Sequence, residues 1–119
     1  MLSISPAVGI FVHAIPTDMR KHFDGLSAIV THAFGKDVLR GDYFVFLNRS
    51  CDRCKILFWD RDGLVVWAKR LERGCFQRPV GGDAASLAIE IDSVTLAMML
   101  GGVDLQSAKR RKRYQAVTP

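Results

Sequence analysis

The sequence predicts an α+β domain: an antiparallel β-meander of three to five strands packed with two helices. Three observations point there. Residues 43–48, 55–60 and 64–70 are consecutive apolar, aromatic and β-branched runs, separated only by short polar turns. Met19, Phe23, Leu26, Val30 and Ala33 recur at spacings of three and four, the stripe of an amphipathic helix. A second, shorter apolar stretch, 94–100, follows Asp92 and Ser93 and ends at Gly101-Gly102, which is cap chemistry at both ends.

Taken in order, residues 8–15 (VGIFVHAI) read as a buried strand stopped by Pro16. Thr17 or Asp18 can then cap the first helix through a side-chain oxygen, and Gly35 suits its C-terminal end. Gly25 is a weak point inside that helix, worth about 1 kcal/mol relative to Ala. YFVFLN at 43–48, KILFWD at 55–60 and LVVWAKR at 64–70 form the meander, with Arg61-Asp62-Gly63 as hairpin-turn chemistry. Both faces of this meander are apolar: Phe44 and Phe46 point one way, and Tyr43, Val45 and Leu47 the other. A sheet of that kind must be covered twice, so either the second helix or a partner protein covers the other face. Residues 79–85 read as a loop, and Leu87, Ile89 and Ile91 as a short alternating strand. The expected organisation is one domain over residues 1–105 and a basic, flexible tail over 106–119.

The 119 residues are 49% hydrophobic and 24% charged, which fits one globular domain rather than a disordered chain. No apolar run is long enough to span a bilayer, and no signal peptide is evident, so a cytoplasmic protein without membrane contact is expected. Three cysteines, an odd number, argue for free thiols in a reducing compartment.

The formal charge of +5 is unevenly spread. Lys109, Arg110, Arg111, Lys112 and Arg113 account for five of the 17 Lys and Arg; the other 12 balance the 12 Asp and Glu. Within this neutral body, residues 49–78 carry eight basic side chains against four acidic ones. Basic clusters of this kind suit a phosphate backbone, and they also serve simply as solvated surface.

Catalytic chemistry has little to work with. Cys51-x-x-Cys54 could begin a zinc site, but a structural site needs four ligands and no second pair is present. Asp60 and Asp62 flank one turn, where aspartates ordinarily shape the backbone rather than hold a metal pair. His13 falls in an apolar strand, His22 and His32 on a helix surface, and no nucleophile has a base at suggestive spacing. Gly81-Gly82 lacks the strand, Lys and Ser/Thr of a phosphate loop. No catalytic residue, metal ligand or cofactor is therefore assigned.

Longer blocks are more specific. Pro16-Thr17-Asp18-Met19-Arg20-Lys21 followed by Phe23-Asp24-Gly25-Leu26 forms the first. The second runs through Val45-Phe46, Asp52-Arg53, Lys55, Trp59-Asp60, Gly63-Leu64 and Lys69-Arg70-Leu71-Glu72, with Gly74 and Phe76 beyond. Leu96-Ala97-Met98-Met99-Leu100 with Gly102-Val103-Asp104 closes the set. In order and spacing these resemble the TnpB-type accessory protein, the second open reading frame of insertion-sequence-66 family transposable elements, over about residues 10–105. The RNA-guided nuclease that shares the name TnpB in other elements is a different protein. The resemblance implies a non-catalytic accessory role in transposition, beside a larger transposase that carries the chemistry. His22 stands where that family usually has Gly, and Cys51 and Cys54 where it has basic and aliphatic residues, which further weakens the zinc reading.

The expected function is DNA binding at the element ends as part of a transposase complex. Arg20, Lys21, Arg49, Arg53, Lys55, Lys69, Arg70 and the run Lys109, Arg110, Arg111, Lys112 and Arg113 would touch phosphates. The alternative is an adaptor or self-associating homo-oligomer in which the doubly apolar meander, with Trp59, Trp67, Phe44 and Phe46, buries a face against the transposase or a second copy, without DNA.

Overall fold

The computed structural model describes residues 8–79 and 87–102. Five strands form one sheet: β1 (Ile10–His13), β2 (Tyr43–Leu47), β3 (Arg53–Asp60), β4 (Gly63–Arg70) and β5 (Ala88–Ile91). Two helices accompany them, α1 (Phe23–His32) and α2 (Ser93–Gly101), with a short 3₁₀ turn at Val38–Arg40. The spatial order is β4-β3-β2-β1-β5. The meander β2-β3-β4 is antiparallel, as the sequence predicts. β1 runs parallel to β2, with α1 in the crossover between them, and β5 pairs antiparallel on the far side of β1.

All five residues of β2 are buried, because this central strand is covered on both faces. Val45 and Leu47 join Ile10, Val12 and Ile56 under Leu96 and Met99 of α2, with Phe76 closing the cluster. Phe44, Phe46 and Leu57 pack on the opposite face beneath Leu26 and Val30 of α1 and Phe34. The second helix thus covers the face that the sequence left open to a partner. Each of these large apolar side chains contributes about 1.5–3 kcal/mol by leaving water, so a Phe46→Ala change in the middle would cost about 3–5 kcal/mol.

Three boundaries differ from expectation. β3 begins at Arg53 rather than Lys55, which brings Cys54 into the strand. The first strand is only Ile10–His13. The first helix starts at Phe23 rather than at Thr17 or Asp18, and His22 at its N-cap position makes no side-chain cap. The polar groups expected to cap it are engaged elsewhere. Thr17 is buried; its N–H donates to the Leu47 carbonyl at 2.8 Å and its hydroxyl meets His13 Nδ1 at 3.2 Å. Asp18 accepts from the Arg20 backbone and side chain and turns the chain over residues 18–21. Phe23 is consequently 41% exposed rather than in the core stripe. Gly35, at φ +64°, follows the helix end in the left-handed conformation expected of it. α2 is capped as read: Asp92 Oδ1 accepts from Thr95 N at 2.7 Å, and Gly102 closes it at φ +85°.

Candidate nucleic-acid interface

Strand alternation decides where the basic side chains of the meander point. In β3, Cys54 and Ile56 belong to the α2-side core and Leu57 to the α1 side. Arg53 and Lys55 therefore lie on the α1 side. Their cross-strand neighbours are Arg70 and Ala68. Lys69, one residue before Arg70, takes the other face, where its Nζ donates to the Leu100 carbonyl at 3.3 Å in the last turn of α2. There the ammonium also complements the negative end of the helix.

A depression of about 370 Å³ at this end of the sheet is lined by Met19, Arg53, Cys54, Lys55, Ala68, Lys69, Arg70 and Glu72. Lys55 is anchored: its Nζ donates to the carbonyls of Met19 and Lys21, each at 2.8 Å. This one side chain holds the 18–21 turn against the end of the sheet. Arg20 is also committed, with Nε and Nη2 on the Asp18 carboxylate at 2.7–3.1 Å. The Arg20 side-chain hydrogen bonds, then its backbone N–H, hold the Asp18 carboxyl down at about 2. The Lys21 stem passes Gly25 so closely that a β-carbon there would meet it at 3.1 Å, which accounts for the helix-interior glycine.

Arg53 and Arg70 remain. They face each other across the ladder, with β-carbons about 5 Å apart in such a pair. Arg70 has Glu72 at 3.4 Å, an exposed contact of little strength. Arg53 has no acidic partner among the described residues. Like charges opposite one another destabilise a sheet, and an anion placed between them removes that cost.

The turn before β3 is built by Asn48. Its Oδ1 accepts from the N–H groups of Asp52 and Arg53, and its Nδ2 donates to Asp52 Oδ1 at 2.7 Å. Arg49 is exposed on this turn, and Cys51 takes the left-handed conformation at φ +57°. Arg78 Nη2 donates to the Asn48 carbonyl, which ties the chain after β4 to the same turn. Met19, Asn48, Glu72 and Arg78 all shape this region and are not among the site residues expected from the sequence; only long-range contacts place them here. Lys109 to Arg113 lie outside the described residues.

Cys54 is a core residue of β3, not a turn thiol, and burial pushes its pKa up to about 12. Cys51 is half-buried and Cys75 exposed. Among the described residues no group of three His, Cys, Asp or Glu could hold a metal ion. Asp60 and Asp62 flank the hairpin turn, whose left-handed residue is Arg61 rather than Gly63. His13 sits between the rings of Phe34 and Phe46, and burial, with Arg78 as a lesser cause, lowers its pKa.

Residues 8–110 match the family described as IS66 Orf2 like protein. The chain belongs to that family. An uncharacterized protein of Sinorhizobium fredii, y4jC, is 32% identical over 111 residues, covering 93% of this chain and 92% of the relative. A second from the same organism, y4hO, is 34% identical over 104 residues, covering 87% and 88%. No solved structure matches. An IS66 Orf2-like protein is an insertion-element accessory protein, and no catalytic activity is indicated for it. In this member, the first two sequence blocks that carry the resemblance meet at the depression: Met19 comes from one, and Arg53, Lys55, Arg70 and Glu72 from the other. No helix among the described residues is long and apolar enough to cross a membrane.

Proposed function

We propose that this IS66 Orf2-like protein binds DNA of its own element in the cytoplasm and works beside the element's larger transposase. The observation that carries this reading is the Arg53–Arg70 pair, two guanidinium groups opposed across a ladder, one of them in no ion pair among the described residues. Guanidinium forks match phosphate oxygens in pairs, and the surrounding turn offers Arg49 and Lys21 as further cations. Lys55 supports this surface rather than contacting DNA, since its ammonium is already engaged, while Arg20, 92% exposed beside Asp18, adds a further cation. Lys69 faces the other side of the sheet.

Fluorescence anisotropy with element-end duplex tests the proposal. Wild-type affinity falls steeply with salt, and Arg53→Glu with Arg70→Glu lowers the logarithmic salt slope by about 2, one unit per lost phosphate contact. A wild-type protein with no salt-sensitive binding at low ionic strength defeats the reading. For the adaptor alternative, α2 and α1 cover most of the two sheet faces, and Trp59 and Trp67 remain half-buried on the meander.

A further inference from the structure

The two edges of the sheet are built differently. β5 has four residues and carries the exposed Glu90, two of the features that keep an edge from pairing further. β4 has eight residues, Gly63 to Arg70, and nothing pairs with its outer side among the described residues. From Gly63 to Ala68 it has no charge and no proline, and Leu64, Val65, Val66 and Trp67 are all half-buried. Half of the backbone groups of such a strand face outward, a ready template for another strand.

We propose that a second copy of this chain pairs antiparallel along the outer edge of β4. The charge pattern selects this occupant. Asp62 lies just before β4 and Arg70 at its end, where the exposed Glu72 holds it only weakly at 3.4 Å. Val66 stands midway between Asp62 and Arg70. A two-fold axis through Val66, normal to the sheet, sets Asp62 of each copy beside Arg70 of the other, once at each end of the ladder. The same axis pairs Val65 with Trp67 and keeps both copies of α1 on one face and both of α2 on the other. A parallel arrangement would instead set Arg70 against Arg70 and Asp62 against Asp62. The contact is short, so the dimer is a weak, exchanging one. It shares Arg70 with the proposed DNA surface, so it is tested without DNA, where its failure and that of the DNA reading are distinguishable.

Analytical ultracentrifugation of the full chain without DNA tests this, at roughly 100 μM protein and low ionic strength, where charge contacts are least screened. Wild type shows a monomer–dimer equilibrium. The variant Arg70→Glu and the variant Asp62→Lys each weaken it at least about tenfold, since like charges then meet at both ends. An equimolar mixture of the two variants restores a dimer, because both ends become complementary again. Hydrogen exchange on wild type supplies a reading that needs no variant: β4 amides gain protection as concentration rises, and β5 amides do not. A monomeric wild type, charge variants that dimerise as well as wild type, or a mixture that stays monomeric each overturns the proposal.

Discussion

Replacing Lys55 by Met separates two roles that a basic residue at this place can have. The Lys55 ammonium donates to two carbonyls, Met19 O and Lys21 O, at 2.8 Å, across 36 and 34 residues of chain. A hydrogen bond from a charged donor is worth about 1.5–3 kcal/mol net. Lys55 is half-exposed, and water can replace part of what is lost at Lys21, itself exposed. Met preserves the apolar stem and its packing, so the change isolates the ammonium. Together these give a loss of about 2 kcal/mol. Unfolding entropy is about 2.1 cal/mol/K per residue, hence about 0.25 kcal/mol/K for this chain, and the melting temperature drops by about 8 °C. Thermal unfolding followed by circular dichroism measures this, with exchange of the 17–22 amides reporting the local loosening. A shift under about 2 °C, combined with a large loss of DNA affinity, would refute the reasoning and return Lys55 to the phosphate contacts.

Three further outcomes are expected. His13 has a folded pKa below its unfolded value of about 6.5, so the unfolded chain takes the proton first. Its contribution to stability is complete above that value and is lost as pH falls below it towards the folded pKa. Melting temperature therefore declines from pH 7 to 5 in wild type, and His13→Gln flattens the decline; a wild type already flat over that window contradicts the assignment. Cys51→Asn places a residue tolerant of the left-handed region at φ +57° and stabilises by up to about 1 kcal/mol, read as a higher urea midpoint at unchanged slope. Asp92→Ala removes the hydrogen bond to Thr95 N and costs about 1 kcal/mol, measured by the same unfolding series.

The meander was legible because its signal is local. β-Branched and aromatic runs with short polar turns need no information from elsewhere in the chain, and the apolar character of both faces of residues 43–47 correctly required two covers. The start of α1 was not legible, because Thr17 and Asp18 look like caps until Leu47, His13 and Arg20 claim their hydrogen bonds. The parallel pairing of β1 with β2 was equally hidden; an apolar strand does not reveal the direction of its neighbour. At the candidate site, composition pointed to residues 49–73 but treated their cations as equivalent. Strand parity sends Lys69 to one face and Arg53 and Arg70 to the other. Reaching across the fold is what turns Lys55 from a surface charge into a clamp. The same parity took Cys54 from a polar turn into the core.

The placement of β1 also governs the order in which the chain can fold. β2, β3 and β4 follow one another through short connections and can form while the chain is still growing. β1 emerges first, yet its outer neighbour is β5, with Ile10 beside Ile91. For most of synthesis the strand made earliest therefore has an unsatisfied side. A product cut short before Ala88 would keep the three-strand meander and lose both β5 and the helix that shields Val45 and Leu47. Such a fragment is prone to stick to other chains. Synthesis as far as α2 is thus a checkpoint for solubility, set by a strand whose mate lies far along the chain.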